Sequence, residues 1–275
     1  MVVEIAVDSR AQTEPLPIAD LRSVSLVIPA YNEEGRLARA LDAYVPLLEE
    51  LGVTFEVIVI ADGTDNTPVV AERFRSRGVT CYSYPNKLGR GGAIFEGFRR
   101  ARYSITAFAD ADGSVPASDA RTILSAVMSG QPVAIASRRL LPELVEVPEA
   151  AHRRLIGFAW HVLVRVLLSI PVKDAQCGFK AFRSEIVRGV VLPKVTVTNR
   201  TFEVGMLYHI VSAGYHIEEI PVRYTHNFDT RMPITKAIPI MFLTLVGIFL
   251  FNVVLSGTVS PPKLVRDLNR RFSST

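Results

Sequence analysis

Five short apolar runs punctuate residues 24 to 137, separated by segments whose apolar residues recur at helical spacing. The runs are VSLVI (24–28), FEVIVIA (55–61), VTCYSY (79–84), SITAFAD (104–110) and VAIAS (133–137). Strands that are apolar at nearly every residue must be covered on both faces. Intervening helices do this when the strands run parallel. The chain is therefore expected to form an α/β fold with a mostly parallel, Rossmann-like sheet and helices on both faces. Asn32 is placed to cap the helical segment EEGRLARALDAYVPLLEELG, and Thr67 the next one, with Pro68 in its first turn. Residues 153–170 read as an amphipathic helix, and DAQCGFKAFR (174–183) as a loop leading to a strand. TFEVGMLYHIVSAGY reads as a helix stopped at Gly214, and IEEIPVRY (217–224) as a further strand.

In parallel sheets of this kind, ligands bind beyond the carboxyl ends of the strands. The polar stretches PAYNEE, ADGTDN, ADADGS and SRR all stand at such ends. Within FADADGS, Asp110 and Asp112 lie one residue apart. In extended chain they share a side, and two anions at that spacing repel unless a cation sits between them. A hard divalent ion with oxygen ligands, Mg²⁺ or Mn²⁺, resolves the repulsion. With so few carboxylates, the substrate's phosphates complete its shell. Either Asp alone would fit a turn equally well; the pair points to a metal–diphosphate site.

Competing chemistries lack their residues. GRGGAIFEG has Ile94 where a dinucleotide fingerprint needs a small side chain, and no Gly-Lys-Ser/Thr phosphate loop occurs. The glycines around Arg90 still allow backbone amides and its guanidinium to meet an anion at a helix start. As a flexible turn the same stretch fits as well. Two cysteines without a CxxC, and five histidines without ligand spacing, give no zinc site and no disulfide framework. Cys177 and Trp160 read as packing residues. A net charge of +4, with no basic run interleaved with aromatics, argues against nucleic acid.

The N-terminal residues lack the features of a secretory signal. At the other end AIPIMFLTLVGIFLFNVVL, Ala237 to Leu255, carries no charge. As a helix it would extend about 28 Å, close to a bilayer core. Spanning would put Lys263, Arg266, Arg270 and Arg271 on the far side, against the positive-inside tendency, and Pro239 and Gly247 allow a bent segment. Membrane attachment is expected, by a span or by interfacial docking. The domain reading is a lead-in over 1–22, a catalytic domain over 23–232, and a membrane-anchoring segment with a basic tail over 233–275.

The ordered set VSLVIPAYNEEGRL, ADGTDNT, NKLGRGGAIFEGF, FADADGS, ASRR, DAQCGFKAFR and TFEVGMLYHIVSAGYHIEEIPVRY resembles glycosyltransferase family 2. Within it, the chain is similar to the dolichyl-phosphate glucose and mannose synthases, over roughly residues 23–232. The resemblance implies a GT-A fold and an inverting, metal-dependent transfer of a hexose. The donor would be a nucleotide diphosphate sugar, the acceptor a polyprenyl or dolichyl phosphate, and the reaction would run at the cytosolic membrane face. By that resemblance Pro29, Tyr31, Glu33, Asp62, Asp110 and Arg231 bind the nucleotide sugar, joined by Arg90 from the glycine-rich helix start, and Asp110 and Asp112 hold Mg²⁺ or Mn²⁺. Asp110, Asp112, Asp174 and Arg138 carry the catalytic role. DAQCGFK fits the glucosyl branch and Ser114 replaces a mannosyl-type Gln, so UDP-glucose is expected over GDP-mannose. Ala61 stands where the family's DDGS motif has its first Asp, which implies weaker base selectivity. Gly205 stands where the family often has an acidic residue, leaving Glu203 as the carboxylate of that stretch.

A polyprenyl phosphate is already anionic near neutral pH, its second pKa being about 6, so a strong base is not required. Asp174 is then either a base or the group that orients Lys180 or a sugar hydroxyl, and an Asp opening a loop fits the sequence equally well. Arg138, Arg200 and Arg223 are candidates for the acceptor phosphate. The expected enzyme is membrane-associated with its catalytic domain facing the cytoplasm, and a homo-oligomer is compatible with the sequence. The alternatives are transfer to a soluble or lipid-hydroxyl acceptor, or a membrane protein that binds nucleotide sugars without catalysis.

Overall fold

The structure, a computed structural model, describes residues 21–144, 151–195, 201–224 and 234–250. Four strands and three helices alternate first: β1 (Ser23–Ala30), α1 (Leu37–Glu50), β2 (Thr54–Ala61), α2 (Thr67–Glu72), β3 (Val79–Ser83), α3 (Gly89–Arg100) and β4 (Ile105–Ala109). Then come α4 (Ala117–Met128), β5 (Val133–Ser137), α5 (Ala151–Leu168) and β6 (Phe179–Arg183). A helical turn, α6 (Ser184–Ile186), runs through a π-helical stretch, Val187–Val191, into α7 (Leu192–Lys194). The chain continues with α8 (Phe202–Ser212), β7 (Ile217–Pro221) and α9 (Ile234–Phe249).

Among the described residues the strands form one sheet in the order β3-β2-β1-β4-β6-β5-β7. β1, β2, β3 and β4 are mutually parallel where they pair, as are β5 and β7, while β6 is antiparallel to both β4 and β5. The apolar runs are continuous because both faces are covered. Leu26 and Ile28 of β1 pack into a core with α1 and α4, and Val27 between them packs into a second core with α3 and α8. Pro29 lies beyond Val27, the last β1 residue paired with β4, so its missing N–H breaks no rung there.

Two expected caps are corrected. Asn32 does not cap α1, which begins only at Leu37 without a side-chain cap. Asn32 adopts φ 56° and its Oδ1 accepts a hydrogen bond from the Thr64 N–H at 2.8 Å. Thr67 is the first residue of α2, and its hydroxyl accepts from the Glu33 N–H at 2.8 Å while donating to Asp65. Both side chains tie the β1–α1 loop to the β2–α2 loop, because adjacent parallel strands deliver those loops side by side. α8 stops just before Gly214, whose φ of 84° suits a helix C-terminus.

α9 covers the first part of the apolar C-terminal run. Leu245 and Ile248 are buried in the second core, while Phe242, Leu243 and Leu250 are exposed, as are Val162 and Val166 of α5. Among the described residues no helix is long and apolar enough to cross a membrane. Residues 251–255, at the end of the run, lie outside the described residues, as do 1–20 of the lead-in and the tail.

Candidate active site

The carboxyl ends of β1, β2, β4 and β5 bring their loops to one edge, and β6, running the other way, brings its N-terminal loop there too. Asp110 follows the last residue of β4. Its N–H donates to the Gly178 carbonyl at 3.0 Å, and its Oδ1 accepts from Arg90 Nε at 2.9 Å. Asp112 folds its Oδ1 back onto the N–H and hydroxyl of Ser114, and Arg39 donates to the Asp112 carbonyl. Among the described residues the Oδ2 atoms of both aspartates have no hydrogen-bond or ion-pair partner. A Cβ at residue 178 would stand 2.2 Å from Asp110 Oδ2, so glycine keeps that oxygen's surroundings open. Burial pushes the Asp110 carboxyl above its ordinary range; Arg90 opposes the shift, and Asp112 and Glu203 add to it. Two open carboxylate oxygens in a like-charged pair fit a hard divalent ion. Among the described residues no group of three His, Cys, Asp or Glu could hold a metal, so a ligand's own oxygens must finish such a shell.

Arg90 is drawn inward rather than left open to solvent. It bridges Asp110 and Glu203, the latter at 2.9 Å, with its guanidinium 5.6 Å from the Phe108 ring and 5.5 Å from the Phe202 ring. Asp62 is also tied inward: its Oδ2 accepts the N–H groups of Leu88 and Gly89 at 2.7 and 2.9 Å. The amides expected to meet a ligand anion at the start of α3 therefore meet Asp62, whose carboxyl is raised by burial against those bonds. Tyr31 is exposed on the same edge, with Lys87 Nζ 4.4 Å from its ring centre. Glu33 pairs with Arg36 at 2.6 Å.

Asp174 is not placed to act as a base. Its carboxylate takes Arg138 Nε at 2.7 Å, Nη2 at 2.9 Å and the Arg138 N–H at 3.0 Å. Burial alone would raise its pKa, but the Arg138 guanidinium holds it well below the usual carboxylate range. The pair instead fixes the arginine, whose guanidinium also lies 5.0 Å from the Tyr224 ring. Tyr224 in turn shares a hydrogen bond with Ser114, linking the Arg138 side to the Asp112 turn. Arg223 is committed elsewhere, to Ser118 and Asp119 at the start of α4. Arg200 and Arg231 lie outside the described residues.

Glu203 and Lys180 belong to the site although the sequence reading gave them no role of their own there. Lys180 Nζ donates to Glu203 Oε1 and to the Cys177 carbonyl, both at 2.7 Å, and both side chains are fully buried. The signal was present: one lysine in the apolar strand FKAFR and one glutamate in the apolar helix TFEVGMLYHI. Buried charges in such company need each other.

Known proteins bear on this architecture. The family model described as Glycosyl transferase family 2 matches residues 25–190. Glycosyltransferase AglD of Haloferax volcanii is 31% identical over 78% of this chain, which spans only 35% of that protein's length. The dolichyl-phosphate beta-glucosyltransferase of Saccharomyces cerevisiae is 31% identical over 75% of this chain and 67% of its own. Glucosyl-3-phosphoglycerate synthase from Mycobacterium tuberculosis, crystallised with Mn²⁺, UDP-glucose and phosphoglyceric acid, matches with a TM-score of 0.56 at 20% identity, covering 83% of this chain and 79% of that one. The same enzyme has been crystallised with Mg²⁺ and UDP. The mostly parallel sheet with its helices is the GT-A-like fold, and the chain belongs to glycosyl transferase family 2 as a glycosyltransferase.

Proposed function

We propose that this chain transfers glucose, with inversion, from UDP-glucose to a polyprenyl or dolichyl phosphate at the cytosolic face of a membrane, using Mg²⁺ or Mn²⁺. The observation that carries the reading is the pair of open oxygens, one on Asp110 and one on Asp112, at the edge where the strand ends converge. They suit a cation shared with a diphosphate, which would neutralise charge on the departing nucleotide. Tyr31, beside Lys87, offers a ring face for the base. Arg138 spends Nε and Nη2 on Asp174, and its Nη1, without a partner among the described residues, is available to the acceptor phosphate. No base is needed for that acceptor, which agrees with an Asp174 committed to Arg138.

The yeast relative's name supports glucose and a dolichyl phosphate, and the mycobacterial complexes support UDP-glucose and the divalent ion. Membrane association is supported by the apolar side chains exposed on α5 and α9. A second reading, transfer to a small phosphorylated acid, is favoured by the phosphoglyceric acid in the mycobacterial complex. One experiment separates them. The full chain is incubated with radiolabelled UDP-glucose or GDP-mannose, Mn²⁺, and either polyprenyl phosphate or 3-phosphoglycerate. Label should move from UDP-glucose into the organic phase, and Asp112→Asn should abolish it. Label held in the aqueous product, or lipid-linked mannose forming faster, overturns the proposal.

A further inference from the structure

We propose that the buried pair Glu203–Lys180 is a positioning and charge-setting device that fixes the affinity of the Asp110–Asp112 site for its divalent ion. The inference rests on the reading of those two aspartates as the ion's ligands. Behind them runs an alternating line of charge. Arg90 lies 2.9 Å from Asp110 Oδ1, Glu203 Oε2 lies 2.9 Å from Arg90, and Lys180 Nζ lies 2.7 Å from Glu203 Oε1. Without Glu203, the charges of Arg90 and Lys180 would cancel the aspartate pair and leave nothing to attract a cation. With it, three carboxylates of this line face two cations, and among these described residues one net negative charge remains.

Geometry makes Glu203 more than a counter-ion. It sits in the first turn of α8, and both of its oxygens are engaged, one per cation. The Arg90 guanidinium lies against the Phe108 and Phe202 rings and divides itself between Asp110 and Glu203. The stronger the Glu203 share, the less Arg90 competes for the carboxylate that the ion needs. Lys180 also holds the Cys177 carbonyl, next to the Gly178 that borders Asp110 Oδ2. A passive strut would need only a fit and neutrality; this arrangement is charge-biased toward binding a cation.

The test uses the full chain, with MnCl₂ titrated in the presence of saturating UDP. Free Mn²⁺ is followed by electron paramagnetic resonance, and Tm is measured in parallel. A unit charge acting on a divalent ion on the order of 10 Å away changes affinity several-fold even with water-like screening. Glu203→Gln should therefore weaken Mn²⁺ binding several-fold. Lys180→Met should tighten it several-fold although it lowers Tm. The double variant should return to within about threefold of wild type, since the two charge changes cancel. The opposite movement of affinity and Tm in Lys180→Met is what a structural strut cannot produce. If Glu203→Gln does not fold, Lys180→Met and the double variant decide. Unchanged affinity in Glu203→Gln, or affinity falling with Tm in Lys180→Met, overturns the inference while leaving the cation site standing. Equal Mn²⁺ binding by wild type and Asp112→Asn overturns both.

Discussion

Gly178→Ala should disable the site while sparing the fold. The added Cβ would meet Asp110 Oδ2 at 2.2 Å and Cγ at 2.8 Å. Ordinary contact begins near 3.4 Å, so the carboxylate must retreat by about 1.2 Å. It has little freedom to do so, because Arg90 holds Oδ1 and the Asp110 N–H is bonded to the Gly178 carbonyl. Overpacking of this kind costs ~1–3 kcal/mol. In a chain of this size that is a Tm loss of roughly 2–5 °C. A ligand displaced by about 1 Å costs far more in rate, ~100-fold or beyond. The assay is Mn²⁺-dependent release of UDP from UDP-glucose with acceptor present, paired with a thermal melt. The cycle with Asp110→Asn is the control, since Gly178→Ala should do no further harm where the carboxylate is already gone. Activity within threefold of wild type in Gly178→Ala, or full additivity with Asp110→Asn, would refute the reasoning.

Asp174→Asn should cost about 3 kcal/mol in urea denaturation, because it strands the Arg138 guanidinium against a buried neutral amide, and Arg138→Lys, which keeps the charge but loses the two-pronged contact, should lose activity. Burial, with Lys194 nearby, holds the His209 imidazole down at about 4 from 6.5. The unfolded chain therefore binds the proton first. Stability is whole above pH 6.5 and is lost as pH falls toward 4, and His209→Gln should flatten that part of a stability–pH curve. Leu245→Ala should destabilise the protein by about 3 kcal/mol, since α9 packs this side chain into the core; a change under 0.5 kcal/mol would mean α9 is only an attachment.

The strands of the parallel half could be read from their apolar runs, and so could the edge at which Asp110 and Asp112 stand. A buried strand carries its own signature, and the polar residues just past it must face a ligand or solvent. The place of β6 could not be read. FKAFR is plainly a strand, but its insertion between β4 and β5, antiparallel to both, is decided by pairing partners far away in sequence. That insertion is what brings Asp174 and Gly178 to the carboxyl edge, so the Arg138–Asp174 pair and the room around Asp110 Oδ2 were hidden with it. Asn32 and Thr67 misled for a related reason. Both have the chemistry of a helix cap, but a neighbouring loop offered a nearer partner. Glu203 and Lys180 were visible as charges in apolar company, but nothing local says which buried cation meets which buried anion.

The threading of β6 also governs how the protein comes into being. β4 and β5 leave the ribosome before the strand that belongs between them. A nascent chain can pair β4 with β1 on one side, but its other edge stays bare until Phe179–Arg183 emerges. At ordinary synthesis rates the stretch from Ser137 to Phe179 takes about 2–8 s. For that time two apolar strands offer unpaired N–H and C=O groups to any neighbour, the condition in which sheets join edge to edge between molecules. The yield of folded protein is then a contest between elongation and intermolecular capture, and weaker induction at an unchanged temperature should favour the fold by keeping chains dilute while the gap closes.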